Sequence, residues 1–201
     1  GKIGKGMSNQ SDWALVEQAR NGRHEAFTEL VQRYQAPVIH FCLRMVGSRE
    51  DAEDLAQEAF VRIYKSLPRL TPKAQFSTLL FGVARNLTLN AIRDQKRRGR
   101  GRTESLSPQG PEEASRALPD DSQRPDEAAR LGEIEGLLED ALERVSPEHR
   151  EVLLLREVQG LGYDAIGKII RARKGTVKSR LARAREQLRL QLLELVGAQA
   201  L

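Results

Sequence analysis

Cysteine, histidine and aromatic side chains are nearly missing from this chain of 201 residues, and each scarcity removes a class of function. One cysteine, Cys42, cannot close an intrachain disulfide, which suits a reducing compartment. Three histidines, His24, His40 and His149, stand far apart, so no metal site is expected. Aromatic residues make up 4%, too few for the rings with which RNA-binding modules stack bases. No apolar run approaches the roughly 18 residues of a membrane span and no cleavable leader is visible, so a cytoplasmic protein with no membrane insertion of its own is expected. Neither a nucleophile beside a base nor a phosphate-binding loop occurs, so neither enzymatic activity nor a cofactor is expected.

What the chain does have is positive charge in two places. The net charge is +5 and the isoelectric point is near 9.6. The excess concentrates at residues 93–102 and 168–189, which points to a polyanionic partner. The second cluster falls in LGYDAIGKIIRARKGTVKSRLARAREQLR, Leu161 to Arg189. Ala165, Ile166, Ile169 and Ile170 predict a short helix over 163–170, Arg171 to Arg173 form a turn, and a second helix begins near Lys174. Val177, Leu181, Ala184 and Leu188 give that helix an inner face. Its outer face carries Thr176, Lys178, Ser179, Arg180, Arg183 and Arg185, side chains that bond base edges or neutralise phosphates. From Arg171 to Arg189 there are eight Lys or Arg against one acid, Glu186. A solvated surface helix interleaves the two signs, whereas this pattern fits a helix-turn-helix entering a major groove.

Upstream, four helices are expected. A short one, with Asp12 as cap, carries Trp13, Leu15, Val16 and Ala19 and ends at Asn21-Gly22. A longer one runs from about His24 to Val46 and stops at Gly47. Ser48 starts a third, with Asp51 completing a capping-box-like pair, and Ala52, Leu55, Ala56, Ala59, Phe60 and Ile63 buried. Pro68 and Pro72 bracket a loop before a fourth helix from about Phe76 to Arg97. Between about Arg98 and Asp126, Gly, Pro, Ser and charged residues dominate, basic at first (Arg97, Arg98, Arg100, Arg102) and then acidic (Glu104, Glu112, Glu113, Asp120, Asp121). Such a stretch reads as a linker. Four more helices follow, over about Asp126 to Arg144, from Ser146-Pro147 through Val152 to Leu155, and then the helix-turn-helix. The expectation is an all-α protein of two small helical domains joined by a flexible linker: 1–10 a disordered terminus whose first six residues look like a cloning remnant, 11–98 the first domain, 99–126 the linker, and 127–196 the second domain.

Two further stretches carry chemistry. The third helix, SREDAEDLAQEAFVRIYKSL, clusters Asp51, Asp54, Gln57, Glu58 and Arg62 on one outward strip, which suits docking to a basic partner. The segment from Ser66 to Arg98 joins the proline-flanked loop to a helix with polar Asn86, Thr88 and Asn90 and a cationic end. Asn and Thr read bases, and terminal arginines hold phosphates. The blander reading of Asn86 is that it satisfies a neighbouring backbone group.

With DAEDLAQEAFVRIY, QFSTLLFGVARNLTLNAIRDQKRR and GTVKSRLARAREQLR in this order around a linker, the sequence resembles the extracytoplasmic-function, or group IV, sigma factors of bacterial RNA polymerase over residues 11–195. The three segments are similar to that family's regions 2.2, 2.3–2.4 and 4.2. The resemblance implies a transcription initiation factor whose partners are core RNA polymerase, through the clamp helices of its largest subunit and its flap, promoter DNA and an anti-sigma factor, and which is a monomer when free. It places polymerase docking on Asp51, Asp54, Gln57, Glu58 and Arg62. It places minus-10 recognition and melting on Asn86, Asn90 and the loop from Leu67 to Gln75, with Lys73 and Gln75 in that loop and Arg93, Lys96, Arg97 and Arg98 on nearby backbone. Minus-35 recognition falls to Arg173, Lys174, Thr176, Lys178, Ser179, Arg180 and Arg183. The acidic linker is implied to thread the polymerase channels.

The chain departs from the family's pattern in places. Leu79 stands where the family often has Trp, and Asn90 where it often has Asp. Phe76 and Phe81 are the only aromatics of the melting segment, which implies weak intrinsic melting and a strict demand on promoter sequence. Gly162 and Gly167 replace the commoner Ser and Ala, and an interior glycine lowers helix stability by about 1 kcal/mol relative to alanine, so a less rigid 163–170 helix is expected. About six residues follow Leu195, which favours a sequestering partner over a built-in sensor. Two other functions compete: a dimeric helix-turn-helix repressor or activator that reads a palindromic operator, and a helical adaptor that binds RNA nonspecifically.

Overall fold

Apolar residues recur at threes and fours along most of the chain, and in the computed structural model a helix stands wherever they do. The structure describes residues 10–100 and 125–199, with side chains over 10–98 and 132–198. The expected remnant at 1–6 lies outside the described residues, as does the expected linker apart from helical backbone at its two ends. The described residues form no strand. In the first half α1 spans Asp12–Arg20, α2 His24–Val46, α3 Arg49–Ser66 and α4 Phe76–Arg100, with a 3-10 turn at Leu67–Arg69. In the second half α5 spans Pro125–Arg144, α6 Pro147–Leu153, α7 Tyr163–Ile170 and α8 Lys174–Gln199.

Local chemistry sets the ends of these helices. Gly47 stops α2 at a left-handed φ of 80°, and its N–H reaches the Leu43 carbonyl at 2.7 Å. Ser48 caps α3 as expected, accepting from the Asp51 N–H at 3.3 Å. At α1 the expectation is corrected by one residue. Ser11 is the cap, accepting from Ala14 N at 3.3 Å. Asp12 is drawn instead to α2, where it takes the Tyr34 hydroxyl at 2.5 Å and Arg33 at 3.0 Å. Ser146 precedes α6 with Pro147 as first helical residue, but its hydroxyl lies 3.1 Å from His149 Nδ1 and makes no bond to the cap backbone. Beyond Leu153 the helix widens to π-type bonding over Leu154–Val158, with Gln159 N on the Leu154 carbonyl at 3.0 Å.

Each half buries apolar residues of its own, and together they form one continuous core. Leu15, Leu30, Phe41, Met45, Ile63, Phe76, Leu80 and Phe81 fill the first, and Val145, Val152, Leu154, Leu155, Ile166, Val177 and Leu181 the second. Each such side chain contributes on the order of 1.5–3 kcal/mol of burial free energy.

The two halves also pack on one another, α4 against α7 and α2 against α5 and α6, where two heads joined only by a tether were expected. Two adjacent charged residues add specific bonds to that continuous apolar contact. Arg150 is buried and donates to the Arg44 and Met45 carbonyls at 3.3 and 3.1 Å, the last turn of α2. It also donates to the carbonyls of Glu143 and, at 3.1 Å, Val145, where α5 ends. Carbonyls at helix ends lack intrahelical donors, so one guanidinium caps a helix from each half. Burial presses its pKa below the usual arginine value, and Glu143 opposes the shift. Its neighbour Glu151 is fully buried and faces the first half. Arg44 pairs with Glu139 at 3.2 Å at the edge of the same contact.

Candidate nucleic-acid and docking interfaces

The acidic strip on α3 follows from its burial pattern. Ala52, Ala56, Ala59, Phe60 and Ile63 turn inward, which leaves Asp51, Asp54, Gln57 and Arg62 exposed and Glu58 half-exposed on the far side. Glu58 takes Arg62 at 2.7 Å. Asp51 and Asp54 carry no ion pair among the described residues, so the outermost part of the strip is uncompensated negative charge.

On α4 the residues Leu79, Asn86, Asn90, Arg93 and Arg97 follow one another at threes, fours and their sums, and so share one face. Asn86 and Asn90 are exposed, and their carbonyl oxygens accept weakly from Arg85 and Arg93 at 3.4 and 3.3 Å. Lys96, Arg97 and Arg98 are exposed, with Arg97 on Asp94 at 3.1 Å. Lys73 and Gln75 stand exposed in the loop before the helix. Thr88, expected among the polar reading residues, is fully buried, and its hydroxyl bonds the Arg85 carbonyl at 2.9 Å. Its position faces the core, one helical step away from the exposed strip. Phe76 packs on Tyr34 and Phe81 on Phe41, at ring separations of 5.5 and 5.7 Å. Both phenylalanines are core residues, so neither ring is free to stack on an extruded base.

The second candidate surface is the helix-turn-helix, whose first helix runs over Tyr163–Ile170 as its apolar spacing predicts. Arg171 takes the left-handed conformation at φ 55°, and the turn folds back so closely that Ala172 N donates to the Gly167 carbonyl at 2.9 Å. A Cβ on residue 167 would stand 2.7 Å from the Ala172 carbonyl oxygen. Gly167 therefore gives the turn room to close, where a loosening of the helix was expected. Val177, Leu181 and Ala184 are buried and turn the opposite side of α8 outward.

Arg173, Thr176, Lys178, Ser179 and Arg183 are exposed there, and Arg173 and Arg183 carry no ion pair among the described residues. Lys178 sits over the Tyr163 ring at 5.7 Å, and Ser179 donates to the Thr176 carbonyl at 3.0 Å. The acids missing from α8 itself come partly from its neighbours. Lys174 meets Asp164 at 3.0 Å and Arg185 meets Glu157 at 2.6 Å, a bond that raises the Arg185 pKa.

Arg180 is placed differently from the rest. Its side chain is 28% exposed and lies 3.6 Å from Glu151, whose carboxylate also takes Arg85 of α4 at 2.7 and 3.1 Å. One fully buried carboxylate thus joins a guanidinium from α4 and one from α8. Close by, Lys168 of α7 donates to the Lys73 carbonyl at 3.2 Å, so α7 rests against the loop before α4. Sequence reasoning missed Arg85 and Glu151. Glu151 left a faint signal, an acid abutting the apolar run Val152–Leu155, but its partner is 66 residues away.

This arrangement has relatives. Residues 30–98 match the family model for sigma-70 region 2, and residues 135–188 match that for sigma-70 region 4. The chain is 32% identical to the ECF RNA polymerase sigma factor SigW of Bacillus subtilis, over 90% of this chain and 96% of that one. It is 33% identical to the ECF RNA polymerase sigma-E factor of Escherichia coli K12, over 90% and 95%. The fold is shared with CnrH, solved in complex with the cytosolic domain of CnrY, at a TM-score of 0.64 and 20% identity over 91% of this chain and 97% of that one. It is also shared with the sigma factor RpoE of Bartonella quintana, solved with the anti-sigma factor NepR, at a TM-score of 0.64 and 21% identity over 83% and 96%.

Proposed function

The chain belongs to the extracytoplasmic-function group of the sigma-70 family of transcription initiation factors, and from that premise we propose how its surfaces divide the work. Residues 11–98 act as the polymerase-binding and minus-10 domain, and residues 127–196 as the minus-35 domain. The α3 strip, Asp51, Asp54, Gln57, Glu58 and Arg62, docks on core polymerase. Asn86, Asn90 and the loop over 67–75, with Lys73 and Gln75, read the minus-10 element while Arg93, Lys96, Arg97 and Arg98 hold phosphates. Arg173, Lys174, Thr176, Lys178, Ser179, Arg180 and Arg183 face the minus-35 element. The protein acts beside polymerase in the cytoplasm, by binding rather than by chemistry of its own, and an anti-sigma partner, as in the Bartonella complex, restrains it.

The observation that carries this reading is the uncompensated charge of Asp51 and Asp54, on a helix of the same domain as one cationic DNA face and remote in sequence from the other. A sigma factor needs such a third surface to hold polymerase. A dimeric repressor does not, and the comparisons do not favour that alternative. Co-elution with core RNA polymerase on a sizing column tests it. The wild-type chain co-elutes, and the Asp54→Lys, Glu58→Lys double variant, with unchanged helicity, elutes alone. Co-elution of both would remove α3 from the docking surface, and a wild-type chain that runs as a dimer apart from polymerase would sink the reading.

A further inference from the structure

We propose that α1 is the support on which the minus-10 reading loop is built, and that Trp13 and Arg20 are positioning residues for base selection. The inference rests on the assignment of the loop over 67–75 to the minus-10 element made above. Trp13 and Arg20 are seven residues apart, two helical turns, and so lie on one face of α1. The Trp13 indole N–H donates to the Ala74 carbonyl at 3.0 Å. Arg20 donates through Nε to the Leu67 carbonyl at 3.1 Å and through Nη2 to the Leu70 carbonyl at 2.5 Å. Its remaining nitrogen meets Glu17 at 2.6 Å, which fixes the fork. Both ends of the loop and its first bend are therefore tied by their backbone oxygens to one helix.

The loop's own backbone bonds are short-range, Leu70 N to Leu67 O at 3.3 Å and Lys73 N to Thr71 O at 2.8 Å, and do not fix where it sits. The support itself is fixed. Leu15 and Val16 are buried, and Asp12 ties the start of α1 to Tyr34 and Arg33 of α2. Held through three carbonyls by α1 and through the Lys73 carbonyl by Lys168 of α7, the loop leaves the residues Thr71, Pro72, Lys73 and Gln75 exposed. The cost of ordering it is met when the protein folds rather than when DNA binds, and a reading group so supported discriminates between bases by geometry. These contacts come from residues ahead of position 30, where the sigma-70 region 2 match begins, so they are not part of what that match conveys.

The test uses holoenzyme assembled from the full chain and core RNA polymerase, presented with DNA whose minus-10 element is pre-opened and randomised on one strand. Sequencing the bound fraction gives a preference ratio at each position. Trp13→Phe keeps an aromatic side chain while removing the N–H with the pyrrole part of the indole, Arg20→Gln removes the fork, and Arg20→Lys restores one donor. In Trp13→Phe and Arg20→Gln the ratio at the positions read by the loop is expected to fall roughly three- to tenfold, the size of a lost positioning hydrogen bond, with co-elution with core unchanged. Arg20→Lys is expected to recover part of it. A purely structural role would lower thermal stability or core binding and leave the ratios as they are, and that result overturns the proposal. If Arg20→Gln fails to fold, Trp13→Phe decides alone. A wild-type chain with no preference anywhere in the element would sink the loop assignment itself, whereas a wild-type preference retained in every variant sinks only the role of α1.

Discussion

The proposed minus-10 face on α4 and the proposed minus-35 face on α8 carry similar side chains, amides, hydroxyls and arginines, yet they are held in different ways. The loop that leads into α4 is tied mainly from within its own half, by neutral and charge-assisted bonds from α1 to three backbone carbonyls, with one exposed bond from Lys168 of the other half. The reading helix α8 has one of its arginines, Arg180, drawn to a buried acid that a guanidinium from the other half also occupies. Bonds inside one half survive any movement between the halves and act as scaffold. An ion pair between halves exists only while they are packed, so it acts as a latch. A buried carboxylate is costly without its partners, so removing one member of the latch while the halves stay packed costs more than the intact pair contributes.

The largest expected effect comes from the latch. Glu151→Gln removes the charge that holds Arg85 and Arg180 together and is expected to destabilise the packed arrangement by about 3 kcal/mol. Sedimentation velocity would then show a more extended free protein, with Arg180 released to bind a minus-35 duplex more tightly than wild type does. An unchanged frictional ratio would break the comparison, because the pair between Arg85 and Glu151 would then not be what keeps the halves packed.

Next in size is the contrast between two arginines of α8. Arg183→Ala and Arg180→Ala are each expected to weaken minus-35 binding by holoenzyme by about 1–3 kcal/mol if the lost contact is bidentate to guanine, and mainly to reduce the salt slope if it is to phosphate. Neither variant is expected to extend the free protein as Glu151→Gln does, since Arg183 carries no ion pair among the described residues and Arg180 lies in the same half as Glu151, so the bond from Arg85 remains. A more extended Arg180→Ala protein would show that Arg180 is needed to hold Glu151 in place for Arg85.

The smallest effect is a pH slope that sharpens the view of the first half as a rigid scaffold. Burial pushes the Cys42 thiol up to about 12. Its folded-state pKa thus lies above its unfolded value. Stability from the neutral thiol is complete below the ordinary thiol pKa and is lost as pH rises toward about 12. Between pH 8 and pH 10 the denaturation midpoint of wild type should fall more than that of Cys42→Ala. Parallel slopes in the two proteins would show that α2 opens locally.

Much of the fold was legible because its signals are local. The spacing of Ile166, Ile169 and Ile170 marks α7, Gly47 and Ser48 mark the break between α2 and α3, and the alanines of α3 mark its inner face. Local signals misled where a residue had a better partner elsewhere. Asp12 has the chemistry of a helix cap but is taken by Tyr34 and Arg33, which leaves the cap to Ser11. Thr88 has the chemistry of a base reader but turns inward by one helical step. Gly167 reads as a weak helix residue until the carbonyl of Ala172 is seen where a Cβ would go.

By itself, the sequence determined which segments are helices, which faces are apolar, where the cations gather and, through three motifs in order, the family. Periodicity, caps and charge are properties of neighbouring residues and can be read from neighbours alone. Only the tertiary structure decided that α1 carries the loop over 67–75, that Arg150 caps helices of both halves, and that Arg85 and Arg180 share Glu151. Those contacts join residues 47, 105 and 66 positions apart. Their partners are chosen by which atoms packing brings within hydrogen-bond reach, and no local pattern in the chain encodes that distance.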